Sequence, residues 1–116
     1  MKVLFHVDFL EKWQLALKNV LNMLDYGKKN KVDVEIAVVA NWEAVVQLSS
    51  KTAKLDLFDE VEKKKGKAPV EFLACGNALK GFGVAAEDLL PFVKVVPAGV
   101  VEIAMRQEDG YAYIKP

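Results

Sequence analysis

Five short runs of β-branched and other apolar residues recur along the chain, separated by stretches in which apolar residues repeat at three and four. This alternation restricts the fold more than any other feature, because strands that alternate with helices pair in parallel through right-handed crossovers. Residues 2–7 form the first run. From 9 to 28, Leu10, Trp13, Leu17, Val20, Leu21 and Leu24 make one apolar helical face opposite Glu11, Gln14, Lys18, Asn22 and Asp25, with the stop expected near Gly27. Residues 32–40 alternate and then become continuously apolar, the pattern of a strand covered on both faces. A second helix is expected over 42–48. Within 49–67, Leu57, Phe58 and Val61 among charged residues predict a surface helix closed by Gly66, and the lysines there read as a solvated face. Further strands are expected over 70–74, 92–96 and 111–114, with short helices at 78–80 and 86–90 and a longer one over 100–107.

The predicted architecture is therefore α/β: a three-layer α/β/α sandwich around a mainly parallel five-stranded sheet, of the flavodoxin-like topology class. Strand order does not follow from the pattern. At 116 residues, with no repeat and no Pro/Gly/Ser-rich linker, residues 1–116 are expected to form a single domain. Trp13, Phe9, Met23 and Leu15 widen the apolar surface of the first helix beyond one stripe, and five strands leave little helical cover for a chain this short. That surplus predicts self-association.

Composition excludes several functions. Sixteen basic residues balance sixteen acidic ones, so no overall field draws the chain toward nucleic acid or an anionic membrane. The opening apolar run is broken by His6 and Asp8, far short of a signal peptide or a spanning helix, and a cytoplasmic protein is expected. One cysteine and one histidine rule out an internal disulfide and leave too few ligands for a typical transition-metal site, so neither metal nor cofactor is expected. Gly76, Gly81 and Gly83 fit neither a dinucleotide fingerprint nor a P-loop. No nucleophile elbow appears, and a single His must serve any hydrolase triad.

In parallel α/β sheets, ligands bind beyond the carboxyl ends of the strands. His6 and Asp8 end the first strand, Asn41 follows the second, and Cys75-Gly76-Asn77 follows the third. These residues are expected to share one rim, with Cys75 and His6 as candidate reacting groups and Asp8, Asn41, Gly76 and Asn77 as candidate binding groups. A cysteine at a strand-to-helix turn suits a reactive thiolate. It equally suits packing, since cysteine is among the most often buried residues. His6 fits either a proton donor or a histidine hydrogen-bonded within the sheet. Asp8 and Asn41 read as helix caps first and rim groups second, because each stands before a helical segment.

The segments Glu71-Phe-Leu-Ala-Cys75-Gly-Asn-Ala-Leu, Glu87-Asp-Leu-Leu-Pro91, Val95-Val-Pro97-Ala-Gly99-Val-Val-Glu-Ile and Gln107-Glu-Asp-Gly110-Tyr-Ala-Tyr-Ile resemble the DsrE/DsrF-like family. That family takes in the DsrEFH and TusD sulfur carriers and the YchN-like proteins, and the likeness covers the whole chain. The resemblance implies a trimer or hexamer built from this fold. It further implies an intracellular sulfur relay in which Cys75 takes up sulfane sulfur as a persulfide and passes it to a partner thiol, so that donor and acceptor proteins are expected. From the residues alone two other readings stand: an oligomeric interaction module in which Cys75 only packs, and a small-molecule binder that uses the strand-end crevice without covalent chemistry.

Overall fold

The computed structural model describes residues Met1–Pro116. Strands β1 (Lys2–Val7), β2 (Glu35–Ala40), β3 (Val70–Cys75), β4 (Val93–Val96) and β5 (Ala112–Ile114) form one sheet in the order β4-β3-β2-β1-β5. Every pairing is parallel. The helices are α1 (Trp13–Asn30), α2 (Leu57–Lys64), α3 (Gly76–Gly81) and α4 (Gly99–Glu108), and 3-10 segments span Leu10–Lys12, Trp42–Leu48 and Ala86–Asp88. The segments expected as helices over 42–48 and 86–90 are thus tighter 3-10 turns, and the latter is shorter.

The strand order explains how cover is distributed. β1 to β4 step across the sheet in one direction, so right-handed connections place α1, α2 and α3 on the same face. The return from β4 to β5 crosses the whole sheet and carries α4 to the other face. Side-chain parity agrees. Val3, Phe5, Val7, Ile36, Val38 and Phe72 pack into the large core under α1, α2 and α3. Leu4, Ala37, Val39 and Leu73 face the smaller core, which Ile103 of α4 and Tyr111 complete. Both faces are covered, but very unequally.

In the large core Trp13 is fully buried, packed against Phe58 with ring centroids 5.2 Å apart and against Phe72 at 6.5 Å. Phe92 extends the cluster, 5.2 Å from Phe72. The indole N–H of Trp13 donates to the carbonyl of Ala44 at 2.8 Å, which satisfies the one polar atom that burial strands. Phe9 and Leu15, which widen the apolar surface at the start of α1, remain exposed.

Helix α1 runs past Gly27 and ends at Lys31, which takes the left-handed conformation (φ 53°) and donates its N–H to the carbonyl of Gly27. Gly27 is retained inside the helix because the chain returns directly over it. A Cβ there would lie 2.8 Å from the backbone oxygen of Val32 and 3.1 Å from Val34 Cγ1. Gly27→Ala should therefore destabilise by about 1–3 kcal/mol despite alanine's better helix propensity, since backbone must move. Urea unfolding with an unchanged midpoint or a raised one would show that the turn yields freely.

Candidate functional site

The loops leaving β3 and β4 turn to opposite faces, β3 into α3 beside the large core and β4 into α4 beside the small one. Such a divergence is the topological switch point of an open parallel sheet, where a crevice forms beyond the strand ends. Cys75, the last residue of β3, sits there, on the face covered by α4. The two loops part at close range: a Cβ on Gly76 would lie 3.0 Å from the carbonyl oxygen of Val96. Glycine at 76 is what lets α3 start directly against β4. Cys75 itself is only 7 % exposed.

Helix α4 closes over the thiol. A Cβ on Gly99, its first residue, would lie 3.2 Å from the Cβ of Cys75 and 3.2 Å from that of Asn41. Its absence allows the helix to start against both. Asn41 follows the pair Ala40↔Ala74 in the register, which makes it the direct neighbour of Cys75 on the adjoining strand.

Asn41 does not cap the 3-10 segment that follows, and Asp8 caps no helix either. The caps expected from the sequence give way to tertiary partners. Asn41 Oδ1 lies 2.9 Å from His6 Nε2, and His6 Nδ1 lies 2.6 Å from the hydroxyl of Tyr113. Asp8 Oδ1 accepts from Lys115 Nζ at 2.9 Å. Burial works to raise the Asp8 carboxyl, but the hydrogen bond and charge of Lys115 outweigh it, and the net result is a lowered pKa. Asn77 lies exposed on the first turn of α3, away from this chain of bonds. The structure therefore brings Cys75, Asn41 and His6 into one line with Gly76 at its end, sets Asp8 beside them in an ion pair, and leaves Asn77 out.

Tyr113 and Lys115 were not among the residues singled out from the sequence. The two-residue spacing of Tyr111, just before β5, and Tyr113 within it shows that both share a face, but not that β5 lies beside β1. Trp42, the first residue of the 3-10 segment after β2, stands out only in the structure. It adopts a left-handed backbone (φ 51°), unusual for a bulky side chain, is 59 % exposed, and meets Phe82 edge-on at 5.1 Å.

The largest cleft lies elsewhere. About 550 Å³ opens at the amino ends of the strands, lined by Lys28, Asp33, Glu35, Lys64 and Lys67 among others, with no thiol, hydroxyl or imidazole side chain. No three His, Cys, Asp or Glu side chains gather as a metal-holding group. No helix is long and apolar enough to cross a membrane.

The sequence pattern of the DsrE/DsrF-like family matches residues 1–116. The chain belongs to that family. Its members are generally sulfur-relay proteins that oligomerise and work with partners. No protein of curated function matches the chain. Among solved structures it is similar to MTH1491 of Methanobacterium thermoautotrophicum, a protein of unknown function, with 34 % identity over 99 % of this chain and 98 % of that one and a TM-score of 0.80. It also shares its fold with the YchN protein of E. coli, at 11 % identity and a TM-score of 0.72 over 100 % of this chain and 99 % of that one. This DsrE-like chain thus has the expected α/β class, with a sheet that is wholly rather than mainly parallel.

Proposed function

We propose that this DsrE-like chain is a sulfur carrier of the cytoplasm that holds sulfane sulfur on Cys75. The reading rests chiefly on one observation: the chain's only thiol lies at the switch point of the sheet, the place where parallel α/β folds bind ligands. Membership of a family of sulfur-relay proteins supports it.

The chemistry is thiol exchange. The Cys75 thiolate attacks the outer sulfur of a persulfide on a donor protein or small molecule; a new S–S bond forms as the donor's S–S bond breaks. The donor sulfur leaves as a thiolate and takes up a proton. Oxidation state is conserved overall, so no cofactor is needed. Delivery is the same step in reverse sense, with an acceptor thiolate attacking the outer sulfur carried by Cys75.

The chain acts as a homo-oligomer, a trimer or hexamer. On the outward side of α4, Val100, Val101 and Met105 are exposed. Apolar surface of this kind at the helix that covers Cys75 suits a subunit contact. Sedimentation at micromolar concentration should give a species larger than 12.9 kDa, and a purely monomeric profile would remove this part of the proposal.

A second reading is favoured by the burial of Cys75, which is 7 % exposed: an interaction module in which the thiol only packs under α4. Intact-protein mass spectrometry separates the two. After incubation with polysulfide or a cysteine persulfide, the wild type should gain about 32 mass units per sulfur, reversible by reductant, while Cys75→Ser gains none. No adduct on the native protein, with labelling only after denaturation, would establish the packing role instead.

A further inference from the structure

We propose that the cleft at the amino ends of the strands binds a small phosphate-bearing molecule, its phosphate held by Lys28, Lys64 and Lys67 together with the backbone N–H groups of Gly66 and Lys67. The cleft lies at the opposite end of the sheet from Cys75, and this inference is independent of the carrier reading.

Two helix ends and two strand starts meet here. Lys28 comes from the last turn of α1, Lys64 from the last turn of α2, and Lys65, Gly66 and Lys67 from the loop that leads into β3. At about 550 Å³ the cleft falls within the roughly 300–1,000 Å³ that small-molecule sites occupy. Its charge is one-sided. Lys65 is engaged by Glu62 at 3.0 Å, as Lys29 just outside the cleft is by Asp25 at 2.9 Å, but Lys28, Lys64 and Lys67 make no ion pair. Of the two acidic residues at the wall, Glu35 turns to the other face of the sheet, where its Oε2 lies 3.4 Å from the Tyr111 hydroxyl, and Asp33 is left as the only carboxylate among the lysines. Lys28 and Lys64 also offset the negative ends of their helix dipoles. Lys67 stands beyond α2, where that field has fallen off.

The loop adds donors of a second kind. Lys65 has a right-handed backbone (φ −62°, ψ −30°) and Gly66 a left-handed one (φ 55°), an order that turns consecutive N–H groups to one side and makes a concavity suited to anions. A helix closed by a left-handed glycine ordinarily spends those N–H groups on its own last carbonyls. Here the Lys65 N–H returns to Val61 and the Ala68 N–H to Lys65, but those of Gly66 and Lys67 donate to no protein group. The space at Gly66 is open, with nothing within 4 Å of the position a Cβ would take. Leu24 and Val34, both buried, give the cleft an apolar wall against which a carbon skeleton can lie. A phosphate group carries roughly two charges near neutral pH and three acceptor oxygens, so it can engage ammonium groups and backbone N–H groups at once.

Titration calorimetry and amide chemical shifts at constant ionic strength test the site, with pyrophosphate as the probe and succinate as a carboxylate control. Pyrophosphate should bind the wild type and shift the amide resonances of Gly66 and Lys67 most. Lys28→Gln, Lys64→Gln and Lys67→Gln should each weaken binding roughly fivefold, the loss that fits one partly exposed charge contact, and the triple variant should abolish it. Lys29→Gln and Lys63→Gln remove the same charge from just outside the cleft and should bind as the wild type does. All five side chains are exposed, so the variants should fold, and an unchanged melting temperature without ligand checks this. Equal weakening in all five variants would reduce the effect to net charge and overturn the site. Succinate bound as tightly as pyrophosphate would overturn the assignment to phosphate. No binding of pyrophosphate to the wild type at millimolar concentration would overturn the proposal as a whole.

Discussion

Trp13→Ala should lower the free energy of unfolding by about 3–5 kcal/mol, the range for deleting a fully buried large aromatic. Trp13 closes the space between α1, α2 and the sheet, packed against Phe58 and Phe72, which also touch each other with ring centroids 5.6 Å apart. Its removal leaves a cavity among rings that cannot collapse into it. It also deprives the Ala44 carbonyl of its donor at 2.8 Å. Domains of this size have about 5–15 kcal/mol of stability in total, so the variant should sit near the threshold of folding. Trp13→Phe separates the two contributions: it keeps most of the ring contact and loses the hydrogen bond, for roughly 1–2 kcal/mol. Urea denaturation followed by circular dichroism measures both. A loss below about 1 kcal/mol for Trp13→Ala would mean that the aromatic cluster repacks around the gap.

The second large effect is expected at Arg106, which anchors the only helix on its face of the sheet. Its guanidinium donates to Glu102 Oε2 at 2.7 Å, to Glu71 Oε1 of β3 at 2.8 Å and to the Tyr111 hydroxyl at 3.0 Å. Its side chain is 17 % exposed, so these bonds are largely shielded from water. Arg106→Met keeps the stem and removes the charge. Glu102 then lies unpaired and Glu71 keeps only Lys94, 3.6 Å away, which should cost about 2–4 kcal/mol at neutral pH; partial exposure keeps the cost below that of a fully buried pair. The effect is pH-dependent with a defined sign. The hydrogen bond from Arg106 holds the Glu71 carboxyl below its ordinary value of 4.5 against the opposing effect of burial, with Lys94 adding to the attraction. A carboxyl whose folded pKa is depressed stabilises above the unfolded pKa, and that stability is lost as pH falls through the folded pKa. The wild type should therefore weaken steeply below about pH 4.5, and the gap to Arg106→Met should narrow there. A gap that stays constant from pH 7 to pH 3 would show that packing of the stem, rather than the ion pair, secures α4.

Much of this was legible in the chain. The stripe from Trp13 to Leu24 announced α1, since a helix of that length that packs on a sheet must repeat apolar residues at three and four. The end of β3 at Cys75 was legible because an apolar run met Gly76. The extent of α1 was misread at Gly27, where glycine usually marks a stop: the need for space came from Val32, a contact made only once the chain has turned back. Asp8 and Asn41 were read as caps because capping is a local habit of these residues. In the fold they lie where strands end side by side, and there Lys115 and His6 offer stronger partners than a backbone amide.

By itself the sequence determined the alternation of strands and helices, hence a parallel sheet, and put the single thiol at a strand end. Both follow from periodicity and turn residues, which act over a few positions. Only the tertiary structure decided that β5 crosses the sheet to pair with β1, that α4 alone covers the second face, and that Tyr113, His6, Asn41 and Cys75 form one line. Strand order depends on which apolar faces bury each other across the whole chain. No local pattern records that choice, and the site depends on it.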